Sequence, residues 1–202
     1  MEEINYQPEH INLSRQALVA QVQDRVAKAR FEHILRVEST AVKMAKTMDV
    51  DPELASIAAL LHDYAKDMDK GDMLALAQKY WPQGHLERGN PSVWHGYAAA
   101  EIARQQLGVL DESILAAVSS HTIGWYEMDK LAKIIFVADY IEPGRDFKGV
   151  DKARKLAKKS IEQAMIYKMA ESIQNVARKR QPIFEESVKI YNHWITQYKE
   201  EI

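Results

Sequence analysis

The apolar residues of this chain recur at helical spacing almost from end to end, and this pattern constrains the fold more than any other feature. Leu18, Val22 and Val26, for example, are each four residues apart, which places them on one face of a helix. No long segment alternates apolar and polar residues with the period of two that is typical of strands, and only 8 of the 202 residues are glycine. The sequence therefore predicts an all-α fold.

Capping and breaking residues divide this pattern into helices. Asp51-Pro52 predicts a helix start, because an N-cap carboxylate precedes a proline whose missing N–H costs nothing at the first helical position. Asp111 and Asp129 are further N-cap candidates, and Pro143-Gly144 should end a helix. The predicted helices cover about 13–30, 31–47, 52–66, 72–81, a segment from a Ser92 cap to 107, one after 111, 129–143, 150–180 as one or two helices, and one after 182; residues 82–93 are predicted to be a loop.

Length and composition indicate one globular domain, with or without an appended subdomain. The 202 residues are 47% hydrophobic and 28% charged, which is ordinary for a soluble protein. The absence of cysteine excludes disulfides, thiolate zinc sites and a cysteine nucleophile. The acidic start, residues 1–5, does not look like a signal peptide, and no apolar run approaches the ~20 residues that span a bilayer. We therefore expect a cytoplasmic protein.

Charge is unevenly distributed along the chain. The net charge of −2 gives no general reason to expect DNA or an anionic membrane as a partner. Residues 145–180, however, contain eleven Lys and Arg against four acidic residues. This segment is either a solvated helix face or a positive wall that attracts a polyphosphate, and the sequence leaves both interpretations open.

His62-Asp63 is the first sequence feature that indicates a functional site, because the pair interrupts an otherwise apolar helical stretch at 58–66. Neighbouring helix positions diverge by about 100°, so two such side chains can approach one ion from either side. Burying a carboxylate beside an imidazole is costly unless a cation compensates, and a divalent metal would do so. The alternative is a helix end, with His62 satisfied in the core and Asp63 exposed.

Four further residues strengthen the metal interpretation: His33, His95, His121 and Asp139 each lie in, or at the end of, an apolar helical segment. Packing alone is a poor explanation for so many imidazole and carboxylate groups in core-type helices, so we expect them to converge on the His-Asp pair. The three other histidines are in polar or loop contexts and are predicted to be surface residues: His10, His85 and His193.

His33, His62-Asp63 and Asp139 resemble the H…HD…D signature of the HD-domain metal-dependent phosphohydrolases, an all-helical superfamily. A closer similarity, over about residues 13–183, is to the YqeK-type symmetrical bis(5′-nucleosyl)-tetraphosphatases. It implies an HD-domain helical bundle with a metal-binding core at 13–145, and C-terminal helices at 146–202 packed on the same domain. The motifs that carry it are Glu32–Val37, Leu60–Lys66, His95-Gly96, Ser120–Thr122 and, most specific, Ala138–Arg145 with its Glu-Pro-Gly-Arg sequence.

The ligand set implied by this resemblance is His33, His62, Asp63 and Asp139. Two imidazoles and two carboxylates without sulfur suit Fe, Mn, Co or Mg better than a structural zinc ion. The resemblance favours iron, and it implies one ion. A second ion on His95 and His121 is the alternative to a role of these two residues in substrate binding.

Substrate and catalytic roles are also implied by the resemblance. Lys66 could hold a bridging phosphate with its ammonium group, or it could simply be an exposed lysine at a helix end. Arg145 could bind phosphate bidentately, or it could form an ion pair with Asp146 or Glu142. The implied catalytic residues are Asp63, Lys66 and His95. The implied substrate-binding residues are His33, Lys66, His95, His121, Thr122, Asp139 and Arg145.

The activity implied by the resemblance is metal-dependent hydrolysis of diadenosine tetraphosphate, or another dinucleoside polyphosphate, in the middle of its phosphate chain. One alternative is an HD phosphohydrolase that acts on a mononucleotide or a guanosine alarmone. The other is a non-catalytic nucleotide-binding or RNA-associated regulator, supported only by the positive segment 145–180. No DNA or membrane partner is expected, and a homodimer is compatible with the sequence.

Overall fold

The computed structural model describes residues 4–198, and every regular element in this part of the chain is helical. The first three residues, on which part of the signal-peptide argument depends, and the end of the predicted C-terminal extension lie outside the described residues. The all-α prediction is confirmed. The helices are α1 (Arg15–Arg25), α2 (Lys28–Met48), α3 (Pro52–Leu61), α4 (Lys70–Tyr80), α5 (Pro91–Gln106), α6 (Glu112–Ser120), α7 (Lys130–Ile141), α8 (Val150–Lys159), α9 (Ile161–Arg178) and α10 (Glu185–Gln197).

Local capping chemistry sets most helix starts. The Asp51 carboxylate accepts a hydrogen bond from the backbone N–H of Glu53, with Pro52 at the first helical position, as predicted. Asp111 and Asp129 cap α6 and α7 in the same way. The segment 150–180 forms two helices, because Ser160 is extended and its side chain caps α9. These predictions are confirmed.

The break between the first two helices was predicted wrongly. It lies at Val26 and Ala27, which are both extended, and not near residue 30. Neither residue is a helix breaker. The carboxylate of Asp67, distant in sequence, accepts a hydrogen bond from the Ala27 N–H at 2.9 Å and so supplies the missing cap partner.

The end of α3 also differs from the prediction. The helix ends at Leu61 and does not continue to Lys66; residues 62–68 form tight turns, with hydrogen bonds from Tyr64 N to Leu61 O and from Lys66 N to Asp63 O. His62 is the C-cap residue of α3 and keeps helical dihedrals. The pair therefore lies at a helix end, although both of its members are buried.

The starts of two further helices, α4 and α5, also differ by a few residues from the prediction. Asp69 caps α4, which begins at Lys70, before the predicted start at 72. Asn90, and not Ser92, caps α5, with a proline at the next position. The predicted loop at 82–93 contains a short 3-10 turn, Leu86–Arg88.

α3 lies at the centre of the molecule. It contacts α1, α2, α5, α6 and α7. Seven of its ten residues are fully buried, among them the run Ile57–Leu61. Its alanines allow neighbouring helices to approach closely. The C-terminal ends of α3, α6 and α7 come together as a result, and this meeting point positions the site. None of the helices within residues 4–198 is long and apolar enough to cross a membrane.

Candidate functional site

Five helices bring the predicted site residues to one buried cluster. His33 comes from the second turn of α2 and His95 from the second turn of α5. The others come from the C-terminal ends of their helices, where the chain leaves the core. All of the following are buried, apart from the half-buried Asp139: His33, His62, Asp63, His95, His121 and Asp139.

Asp63 lies between two pairs of imidazoles. Its Oδ2 is 3.7 Å from His33 Nε2 and 3.6 Å from His62 Nε2. Its Oδ1 is 3.0 Å from His95 Nε2 and 3.8 Å from His121 Nε2. One carboxylate therefore connects the predicted metal ligands to the two histidines with predicted substrate roles.

Asp139 lies on the side of the cluster that contains His33 and His62. Its Oδ1 lies 3.2 Å from His33 Nε2 and 3.9 Å from His62 Nε2. Ligand atoms of these three residues all fall within 4.8 Å of one another, which is close enough to share one ion. A second group of that kind is formed by His62, Asp63 and His121, so the alternative of a second ion stays open.

Three of the imidazoles are oriented by acceptors on their outer nitrogen. Nδ1 of His62 and Nδ1 of His121 donate to backbone carbonyls at 2.6 and 2.7 Å, and Nδ1 of His33 donates to the Glu142 carboxylate at 3.0 Å. Because carbonyls and carboxylates only accept, the neutral rings carry their proton on Nδ1 and direct the Nε2 lone pair inward. This is the arrangement in which histidine binds a metal.

The residues present fit a divalent metal ion. His62 Nε2 is buried and has no hydrogen-bond partner among the described residues. His95 Nε2 lies 2.9 Å from His121 Nε2, so a proton or a cation must compensate the lone pairs there. Burial lowers the pKa of His62 to about 4 and also lowers the pKa of His121, so both rings are neutral near pH 7 and available as ligands.

Both carboxylates are ionised in this setting. Burial alone would raise the pKa of Asp63. In the acidic range where this carboxylate would titrate, however, His62 is protonated, and its charge together with the hydrogen bond from His95 holds the pKa of Asp63 well below its usual value. Burial would likewise raise the pKa of Asp139. Lys168 and the neighbouring imidazoles outweigh this effect, so the pKa of Asp139 also lies well below its usual value. The cluster therefore offers two charged oxygen ligands.

Three part-exposed cations surround the cluster on its solvent side. Lys66 Nζ lies 3.2 Å from His95 Nε2 and 3.9 Å from Asp63 Oδ1. Arg145 donates to Asp139 Oδ1 at 2.6 Å, and Arg30 donates to Asp63 Oδ2 at 2.7 Å. Their side chains are 26 to 34% exposed, so each can still reach a ligand from solvent.

Arg145 does not form either of the ion pairs considered from the sequence as its main contact. It lies 3.9 Å from Glu142 Oε1, but its hydrogen bonds go to the carbonyl and carboxylate of Asp139, and its Nη2 is 3.3 Å from His33 Nε2. The turn after Pro143-Gly144 thus directs the guanidinium back over the cluster.

Sequence reasoning missed three residues here: Arg30, Glu142 and Lys168. Glu142 is 1% exposed and holds both the His33 ring and the Arg36 guanidinium. Lys168 was counted within the positive segment, yet it is only 4% exposed. A signal was present, because Lys168 continues the apolar stripe Ile161, Ala164, Met165 at the position where α9 faces the core.

The other basic residues of the positive segment, 145–180, differ in their exposure to solvent. The lysines of α8 at 152, 155, 158 and 159 are exposed, as expected for a solvated face. The predicted surface positions of His85 and His193 are confirmed. His10 is instead half-buried, and its Nδ1 forms a hydrogen bond of 3.0 Å with the Asp111 carboxylate.

A cavity of about 250 Å³ adjoins the cluster at Thr122, whose hydroxyl lies 3.3 Å from His121 Nε2. It lies between the start of α5, the C-terminal half of α9 and the segment before α10. Apolar side chains, among them Met169 and Phe184, line it together with amides, among them Asn90 and Asn175. Such a mixed lining can hold a ring with a polar edge.

A family model and two relatives match this chain. A family model described as HD domain matches residues 30–144. The chain is 37% identical, over 91% of its length and 98% of the relative's, to "Bis(5′-nucleosyl)-tetraphosphatase, symmetrical" of Bacillus subtilis. A protein of the same name from Halalkalibacterium halodurans is 35% identical over 88% of this chain and 95% of the relative.

A solved structure is similar over nearly the whole fold. It is a predicted HD superfamily hydrolase involved in NAD metabolism from Clostridium acetobutylicum, with a TM-score of 0.85 and 31% sequence identity. The match covers 92% of this chain and 98% of that chain.

Proposed function

Because this chain belongs to the HD domain family and, within it, to the YqeK-type symmetrical bis(5′-nucleosyl)-tetraphosphatases, we propose that it hydrolyses diadenosine tetraphosphate and related dinucleotides at the centre of the phosphate chain. The observation that carries the proposal is the buried cluster around Asp63. Its imidazoles present inward lone pairs beside two ionised carboxylates, and His62 Nε2 has no partner among the described residues. Such a cluster suits a metal-dependent phosphohydrolase.

The proposed metal ligands are His33, His62, Asp63 and Asp139, with iron as the first choice and Mn, Co or Mg as alternatives. A bound divalent ion supplies a water of lowered pKa and stabilises charge on the phosphoryl group. The nitrogen and oxygen donor set is compatible with all four metals. One ion is proposed, and a second ion at His95 and His121 is the alternative.

The cations at the mouth of the site would bind the substrate's phosphates. Lys66, Arg30 and Arg145 can each donate to non-bridging oxygens, and the two guanidinium groups can do so bidentately. Each now contacts a carboxylate of the cluster and would exchange part of that contact for phosphate. His95, 3.0 Å from Asp63 Oδ1, can hold a proton at Nε2 for the departing phosphate.

The cavity beside Thr122 is the proposed nucleoside pocket. It is lined both by residues of the predicted core, 13–145, and by the C-terminal helices, so both parts of the proposed domain would be needed for binding. The remaining nucleoside diphosphate would extend toward solvent past the three cations. In this arrangement the phosphate next to the central bridging oxygen lies at the metal-binding cluster.

The products of early turnover test the regiochemistry. Attack at the phosphorus beside the central bridging oxygen gives two ADP from each diadenosine tetraphosphate, and hydrolysis in ¹⁸O-water places the label on the terminal phosphate of ADP. AMP together with ATP would contradict the symmetrical cut. No turnover with Fe, Mn, Co or Mg would favour the mononucleotide alternative, and metal or nucleotide binding without any turnover would favour a regulator.

His121→Ala separates a substrate role from a second metal site. If His121 contacts phosphate, its Nε2 must take up a proton as the phosphate binds, because the N–H at Nδ1 already donates to Val118 O. We then expect about a ten- to hundredfold loss of kcat/KM in the variant, because a charge-assisted hydrogen bond contributes roughly 1.5–3 kcal/mol. Metal content by elemental analysis should stay near that of the wild type. His193→Ala, an exposed histidine, serves as the control. Loss of half of the bound metal would instead support two ions.

A further inference from the structure

Lys168 is a buried lysine on α9 whose hydrogen-bonding capacity is fully used. Its ammonium donates to His121 O at 2.9 Å, to Phe136 O at 2.7 Å and to Asp139 Oδ2 at 3.1 Å. An ammonium has three N–H donors and no acceptor, so no donor remains for another partner. The same nitrogen lies 3.9 Å from the centre of the Phe136 ring, a favourable cation–π distance.

The three acceptors belong to two of the chain segments that carry site residues. His121 ends α6, whereas Phe136 and Asp139 lie in the last turns of α7. Lys168 comes from a third helix, outside the residues 30–144 that match the HD domain. One side chain therefore joins the ends of α6 and α7 directly behind the cluster.

Asp139 divides its two oxygens between opposite sides. Oδ2 accepts from the buried Lys168. Oδ1 accepts from the part-exposed Arg145 at 2.6 Å and faces His33 Nε2 at 3.2 Å and His62 Nε2 at 3.9 Å. A carboxylate held at one oxygen by a buried cation loses freedom to rotate about its terminal torsion. Its other oxygen is then fixed toward the two imidazoles.

We propose that Lys168 is a positioning residue of the metal centre, which fixes Asp139 and the end of α6 so that their ligand atoms converge. The proposal rests on the proposed metal-dependent function. Its physical basis is that partners behind a metal ligand set that ligand's orientation and basicity. Lys168 does not bind substrate, since it is buried and its donors are engaged, unlike the part-exposed Lys66.

A purely structural role, joining the ends of α6 and α7, would need donors to the two carbonyls but no charge beside Asp139. The buried neighbours of Lys168 on α9 are the apolar residues Ala164, Met165 and Met169, and burying an ammonium among them is costly unless it is well paired. Methionine, of similar length, would continue the apolar stripe without that cost. What methionine cannot supply is the donor to Asp139 and the two carbonyls.

Lys168→Met tests the proposal, with Lys133→Met as the matched control. Lys133 also joins α7 to α9, through an ion pair with Glu162 at 2.7 Å, but it contacts no site residue. We expect Lys168→Met to weaken Mn²⁺ binding, measured by equilibrium dialysis of metal-stripped protein, by about ten- to a hundredfold. At saturating Mn²⁺, kcat should fall while KM stays within about threefold of the wild type.

Each outcome bears on the proposal. Unchanged Mn²⁺ affinity in folded Lys168→Met, or an equal loss in the control, would overturn it, and so would a rise in KM at constant kcat, which indicates substrate contact. If Lys168→Met does not fold, Lys168→Arg keeps the charge and the donors: Mn²⁺ affinity close to the wild type supports the proposal, and a folded Arg variant without Mn²⁺ binding contradicts it. Wild-type protein that binds no metal would instead refute the proposed function itself.

Discussion

Asp63→Ala should abolish turnover, with a loss of about a thousandfold or more, which corresponds to roughly 4 kcal/mol in the barrier. Asp63 contacts both pairs of histidines in the cluster, since one of its oxygens faces His33 and His62 and the other faces His95 and His121. Without it, the remaining groups lose one charged ligand and Arg30 loses its partner at 2.7 Å. Metal content should fall to a small fraction of one ion per chain.

The fold of this variant should remain helical. Asp63 lies in the turns after α3, and its removal deletes no core apolar contact and no helix cap. The measurements are elemental analysis, far-UV circular dichroism and turnover of diadenosine tetraphosphate. Asp72→Ala changes an exposed carboxylate in the first turn of α4 and should leave metal and activity unchanged. An Asp63→Ala protein that keeps its metal and its activity would show that the site is assigned wrongly.

Metal removal should have the second largest effect. Chelation is expected to abolish activity and to lower Tm, because the inward lone pairs and the two carboxylates then face one another without a cation. A metal present at a hundred times its Kd stabilises the folded state by about 2.7 kcal/mol. For a chain of this size, that free energy corresponds to a Tm rise of roughly 5–10 °C.

The experiment is a thermal melt of stripped protein with and without added Fe²⁺, Mn²⁺, Co²⁺ or Mg²⁺, followed by an activity assay. The metal that restores both properties at the lowest concentration identifies the preferred ion. Asp63→Ala provides the control, because its Tm should not respond to metal. A stripped wild-type protein that remains fully active would contradict a metal-dependent mechanism.

Helix positions could be largely predicted because their signals are local. A capping carboxylate bonds to a backbone N–H two or three residues away, as Asp51, Asp111 and Asp129 do. The same locality explains the errors. The break at Val26 and Ala27 depends on Asp67, forty residues away in sequence, and no neighbouring residue reports it.

The ligand types could be predicted for a related reason. Imidazoles and carboxylates within apolar helical stretches are visible in the sequence, and they indicated that His33, His62-Asp63, His121 and Asp139 would face the interior. The groups that orient them could not be identified. Glu142 is 109 residues from the His33 ring that it holds, and Arg30 is 33 residues from Asp63.

The sequence by itself determined the all-helical architecture and the donor types of the cluster, since apolar spacing and caps act over a few residues. Only the tertiary structure decided which cations surround the cluster and which one supports it from behind. Lys66 and Lys168 are the same residue type, yet one is part-exposed beside His95 and the other is buried against Asp139. The difference depends on how α3, α7 and α9 pack, because a hydrogen bond between separate helices requires positions accurate to a few tenths of an ångström.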